Sequence, residues 1–242
     1  MSQIFSSRNK EGDDGWISVS DLMAGLMMVF LFISIIYAKT ADERSQNVSE
    51  VVAQWEEGEW EIYKSLELEF RNDFEKWNAI LDRQSLTIRF LSPDVLFESG
   101  KANLRPEFKE ILDDFIPRYI ELLFFKFDES ISEVRIEGHT SSDWRGAESS
   151  EEAFIENMKL SQARTRTVLE YSLAHDRASH LTPWMIKTVS ANGLSSAQLV
   201  TFKDGTENEK LSRRVEFRVL TKTRNTLIDV LDRAGLSYER KI

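Results

Sequence analysis

The sequence predicts an α+β protein with a single N-terminal transmembrane helix, a helical connector and a C-terminal α/β domain built on a mixed four-stranded sheet. Three observations predict it. Leu22 to Ala38 (LMAGLMMVFLFISIIYA) carries no charge, whereas the rest of the chain is polar and densely charged. From Ala41 to Leu81, apolar residues recur at steps of three or four. Beyond Leu86, short alternating segments are interleaved with longer helical ones, as in a mixed α/β layer.

Composition narrows the function. The 242 residues hold one globular domain plus extensions. The net charge is −10, and basic residues such as Arg135, Arg213 and Arg214 stand singly or in pairs amid acids, which argues against nucleic acid as a partner. With no cysteine there is no disulfide and no thiolate metal site. The histidines, His139, His175 and His180, lack metal-ligand spacing, so no metal and no cofactor is expected. Carboxylates, hydroxyls and histidines form no nucleophile–base pattern, so the chain does not read as an enzyme.

Trp16 to Ala38 spans roughly 35 Å as a helix, enough for a hydrocarbon core of about 30 Å. Trp16 and Tyr37 stand near its ends, where amphipathic rings favour the interface. A cleaved signal peptide is the alternative. The apolar run is long for that, and the preceding EGDDG is acidic rather than basic, which favours a retained anchor. Flanking charges leave orientation open: Arg8 and Lys10 precede the helix, and Lys39 and Arg44 follow it.

Asp21 demands a reason, because a carboxylate within an apolar span costs roughly 3 kcal/mol. One reading is a helix N-cap, with Ser18 and Ser20 beside it. The other is a functional acid one turn inside the helix. At helical spacing its face carries Gly25, Met28, Phe32 and Ile35, with Ala24 adjacent, and small residues let a second helix approach.

In the connector the apolar stripe is Val48, Val52, Trp55, Ile62, Leu66, Phe70, Phe74, Trp77 and Leu81, with Glu59 in the one polar slot. The helix would span about 60 Å. Its seam needs a partner, either a second copy or the C-terminal domain. In that domain Leu86–Phe90 alternates as a strand, Pro106 opens a helix to about Phe125, and Val134 and Ile136 lie in a second strand ending at Gly138. A helix from about Ala153 to Ala174 follows. Ile186–Ala191 reads as a third strand, Val215–Val219 as a fourth, and Asn225–Leu236 as a short terminal helix.

Four motifs in this domain carry a family resemblance. They are Phe97-x-Ser99-Gly100-x-Ala102-x-Leu104-x-Pro106, Gly138-His139-Thr140, Asn157-x-x-Leu160-Ser161-x-x-Arg164, and Arg213-Arg214-Val215-Glu216-Phe217. In order and spacing they resemble the OmpA-like peptidoglycan-binding domain across about residues 84–221. The resemblance implies non-catalytic binding of the peptide stem, with Arg164 gripping a carboxylate through its planar fork and Asn157 and Leu160 on the same helix face. Core packing is the competing role for Leu160. Many members have aspartate directly after the glycine-x-threonine turn. This chain has Ser141, then Ser142 and Asp143, so Asp143 or the serines take over the ligand's ammonium. Ala147–Glu156 is long and acidic for the family.

The whole arrangement is similar to MotB-type stator subunits, whose proton-carrying helix the stretch Trp16–Phe32 with Asp21 resembles. Within them it is most similar to the B subunits of Zorya anti-phage defence systems, through DGWISVSDLMAG and the Gly138-His-Thr-Ser-Ser turn. This resemblance implies residues 1–15 in the cytoplasm, 16–38 in the inner membrane, a periplasmic connector at 39–83, the wall-binding domain at 84–221 and a terminal helix and tail at 222–242. It implies a homodimer ringed by about five copies of a MotA/ExbB-like multi-pass subunit, with peptidoglycan as the further partner and Asp21 as the proton carrier. A flagellar stator subunit and a passive membrane-to-wall tether are the alternatives. A wall hydrolase is disfavoured by the missing catalytic pattern.

Overall fold

The computed structural model describes residues 11–91, 96–98, 100–223 and 228. The chain divides into two compact units, Met1–Glu50 and Val51–Ile242, and each is described by itself.

The first unit is the leading part of helix α1 (Glu11–Phe70). From Val19 to Tyr37 its large apolar side chains are all exposed, Leu22 at 73% and Phe30 at 70%. A helix whose apolar side chains are exposed all round, among the described residues, matches a membrane span. Val19–Glu43 is long and apolar enough to cross one, by length and composition. Lys39 and Glu43 pair at 3.8 Å where the run turns polar. Because α1 begins at Glu11, Asp21 lies about three turns inside it. The N-cap reading of Asp21 therefore fails.

In the second unit, Ile62, Leu66 and Phe70 on the last turns of α1 are fully buried. Of the two partners open to the connector seam, the C-terminal domain takes this part of it. The expected helix through Leu81 stops at Phe70, however, and turns lead to a strand, β1 (Ala79–Asp82). Arg118 explains the stop. Its guanidinium donates to the Glu69 carbonyl at 2.7 Å, the Glu69 carboxylate at 2.8 Å and Asp73 at 3.0 Å, so it satisfies a helix-end carbonyl from a distant element. Asn78, at φ 45°, then turns the chain into β1.

The sheet continues with β2 (Thr87–Phe90), β3 (Ile131–His139), β4 (Val189–Gly193) and β5 (Arg214–Thr221) in the order β1-β2-β5-β3-β4. Among the described residues it has five strands, not four, because β1 adds an edge to β2. The β3–β4 pair is parallel and the other described pairs are antiparallel, so the sheet is mixed as expected. The third expected strand was placed too early. Thr182–Thr188 forms a helix opened by Pro183, which buries Met185 and leaves Ile186 68% exposed, and β4 starts only at Val189. The expected helix at Asn225–Leu236 lies, apart from residue 228, outside the described residues.

Side chains alternate across the pleat. Ile88, Phe90, Val134, Ile136, Val215, Phe217 and Val219 are buried in the core beside α1 and α2 (Pro106–Phe127). Rings of Phe70, Trp77, Phe90, Phe115 and Phe217 meet there with centroids from 4.9 Å to 6.4 Å apart. On the alternate positions stand Arg89, Arg135, Glu137, His139, Arg214, Glu216 and Arg218.

Helix α3 (Ser150–Leu173) carries the third motif. Ser149 caps it by accepting from the Glu152 N–H at 3.2 Å, and Glu152 accepts from the Glu148 N–H at 2.8 Å. Two glycines let α3 lie against the sheet. A Cβ on Gly193 would stand 2.3 Å from the Gln162 nitrogen, and one on Gly138 would stand 3.0 Å from the Ser161 carbonyl oxygen.

Candidate ligand-binding cavity

Three chain segments converge on the face of α3 that carries Asn157, Leu160 and Arg164. The loop after β2 brings Phe97 and Gly100. The segment after β3 brings Thr140, Ser141, Asp143, Trp144 and Arg145. Arg213 enters from the residue before β5. Together they line a cavity of about 270 Å³. The five binding residues expected from the sequence, Ser141, Asp143, Asn157, Leu160 and Arg164, all line it. Asp21, the expected proton carrier, belongs to the other unit and does not line it.

The walls are held by hydrogen bonds between distant residues. Asn157 is buried, and its amide donates to the Asp143 carbonyl at 3.1 Å. Asn157 therefore fastens the loop that presents Asp143, Trp144 and Arg145. The Ser142 N–H donates to Glu207 at 3.1 Å, and its hydroxyl donates to the same carboxylate. The Thr140 N–H donates to the Ser195 carbonyl at 2.9 Å. Arg164 lies over the Phe97 ring at 4.9 Å, and its Nε donates to the Lys101 carbonyl at 2.9 Å. Ring stacking and this backbone bond help fix the guanidinium where it lines the cavity.

Sequence reasoning missed Trp144 and Arg145, whose stretch carries no motif. It placed Phe97, Gly100, Thr140 and Arg213 in motifs without assigning them to the site. Chemically the lining offers three guanidiniums (Arg145, Arg164, Arg213) against one carboxylate (Asp143). No histidine or cysteine lines it among the described residues. This composition suits an anionic or zwitterionic ligand.

Near the cavity lies a buried charge network. Glu137, His139 and Glu216 place ligand-type atoms within 4.8 Å of one another. Those carboxylates are already engaged. Arg214 and Arg89 donate to Glu216 at 2.6 Å and 2.9 Å, and Arg218 stands 3.3 Å from Glu137. Three guanidiniums this close disfavour an added cation. Burial pushes Glu137 above the usual carboxylate range. Burial also works against Glu216, but Arg214 and Arg89 help hold it below that range. Burial, reinforced by Arg214, pushes His139 down to about 3.

The His139 shift has a consequence for stability. Between about 3 and 6.5, the unfolded chain binds a proton at His139 that the folded chain does not. Stability contributed by neutral His139 is present above the unfolded value and is lost as pH falls. Glu137 acts in the opposite sense, so the comparison must isolate His139. His139→Gln is expected to melt with a shallower loss of Tm than the parent as pH drops from about 7 to about 5. Parallel curves would show that His139 is not the group responsible.

No family model matches the chain. Among curated proteins, the Zorya protein ZorB of Escherichia coli strain Crooks is 45% identical over 214 residues, covering 88% of this chain and 91% of that protein. A second Zorya protein ZorB, from Escherichia coli O139:H28, is 24% identical over 226 residues, covering 89% of this chain and 85% of that one. Among solved structures, a MotB-like protein from Desulfovibrio vulgaris superposes with a TM-score of 0.50 at 23% identity, covering 70% of this chain and 98% of that one, and it shares the fold. With close to half of all positions identical along most of both sequences, the chain belongs to the family of Zorya ZorB proteins.

Proposed function

We propose that this chain is the peptidoglycan-anchoring and proton-carrying subunit of a proton-driven inner-membrane motor that serves anti-phage defence. The observation that carries the reading is the convergence of Ser141, Asp143, Asn157, Leu160 and Arg164 on one cavity, in a chain whose apolar helix holds Asp21 in its interior. In this reading the chain crosses the inner membrane once, with its N-terminus in the cytoplasm and the cavity-bearing domain in the periplasm. Two copies stand within a ring of MotA/ExbB-like multi-pass subunits. The wall holds the dimer still while protons passing at Asp21 drive the ring. The passive-tether reading gives Asp21 only a capping role, and a helix that runs from Glu11 through Asp21 supports the proton-carrying reading over it.

The anchoring half is tested by sedimentation of the full chain, in detergent, with purified peptidoglycan sacculi. The parent chain is expected to pellet. Arg164→Ala loses charged hydrogen bonds worth roughly 1.5–3 kcal/mol, so binding should weaken at least about tenfold. Pelleting of Arg164→Ala at the parental level would remove the cavity from the anchoring role.

A further inference from the structure

We infer that the cavity reads the number of free carboxylates on its ligand, with Arg145 and Arg213 as specificity-determining residues. This rests on the peptidoglycan reading and deepens it. A zwitterionic amino-acid head has one carboxylate and one ammonium, and one arginine and one acid suffice for it. The lining instead sets Arg145, Arg164 and Arg213 against Asp143 alone. An uncrosslinked stem of alanine, γ-linked glutamate and diaminopimelate presents three carboxylates and, once its alanine nitrogen is acylated, one ammonium. The two sets of charges are equal in number and opposite in sign.

Two observations separate this from a chance surface arginine. The first concerns Arg213, which lines the cavity, forms no ion pair with any described residue, and has no hydrogen-bond partner at its Nε. No protein carboxylate therefore commits its charge, and the guanidinium is available to an anionic ligand. The second concerns Arg145. It makes no ion pair with any described residue, although Glu148, Glu151 and Glu152 follow shortly in sequence. Its loop is fastened at Asp143 by Asn157 and at Ser142 by Glu207. A guanidinium on a tethered loop, facing a cavity and left uncommitted, is placed for bidentate capture of a carboxylate. The cavity therefore takes the fully anionic stem and discriminates against one whose glutamate carboxyl is amidated.

The test is titration calorimetry on the full chain in detergent micelles with two synthetic peptides. One is N-acetyl-alanyl-γ-D-glutamyl-diaminopimelate, and the other is the same peptide with the glutamate α-carboxyl as its amide. The parent chain is expected to bind the amide about tenfold more weakly, the loss of one charged hydrogen-bonded pair. Arg145→Gln and Arg213→Gln should each shrink that ratio toward one. Equal affinities for the two peptides in a parent chain that pellets with sacculi would overturn the inference and leave the anchoring role standing. A ratio unchanged in both variants would also overturn it. Failure to bind either peptide or sacculi would remove the anchoring role and the inference together.

Discussion

An Asp21→Asn chain that inserts and assembles is expected to lose anti-phage protection completely while still pelleting with sacculi. The substitution changes almost no volume. It removes only the capacity to ionise. Asp21 sits inside α1 rather than at its end, on a stretch where the neighbouring apolar side chains are all exposed to the surroundings. A carboxylate retained there at a cost of roughly 3 kcal/mol fits the proposed proton pathway. A proton falling through about 150 mV releases roughly 3.5 kcal/mol, enough to bias a conformational step of a helix bundle. Asparagine keeps the hydrogen-bonding shape and carries no proton, so the bias disappears. The readout is plating efficiency of phage on cells that express the complete system, with sedimentation as the control for anchoring. Full protection by Asp21→Asn would sink the proton role and leave a tether.

Gly193→Val is expected to destabilise the second unit strongly and to weaken wall binding with it. Even one added carbon would lie 2.3 Å from the Gln162 nitrogen and 2.7 Å from its Cα. These are backbone atoms of α3, so no side-chain rotation relieves the clash. Either α3 lifts off the sheet or β4 peels away. Overpacking of this kind costs roughly 1–3 kcal/mol, occasionally more. At 2–4 °C per kcal/mol, Tm should fall by about 2–12 °C. Because α3 also presents Asn157, Leu160 and Arg164, a displaced helix spoils the cavity. Gly58→Ala is the contrast, since a Cβ there meets nothing within 4 Å and the residue lies in a helix. That change should leave Tm level or raise it. A parental Tm for Gly193→Val would show that the α3–β4 contact tolerates separation.

The parts of the fold that sequence exposed are those where one periodicity holds over several residues. Leu86–Phe90 and Val215–Val219 alternate cleanly, and the structure has strands there. The α3 motif repeats at i, i+3 and i+7, and those three side chains share one wall of the cavity. Where the period was ambiguous, expectation and structure part. Trp77 and Leu81 extend the connector's four-residue step, so Ala79–Asp82 was hidden inside a helical pattern although it pairs with β2. Ile186–Thr188 is a short mixed run that fits strand or helix, and Pro183 with buried Met185 decides for helix.

By itself the sequence determined the uncharged run, the acid within it, the alternating strands and the motif residues, because each is written in the spacing of near neighbours. Tertiary structure alone decided where α1 stops, which strand forms the added edge, and that Trp144, Arg145 and Arg213 join the cavity. Those outcomes depend on contacts such as Arg118 with Glu69 and Ser142 with Glu207, between residues far apart in the chain. Spacing records which side of its own element a residue faces, and it holds no information about which remote element arrives on that side.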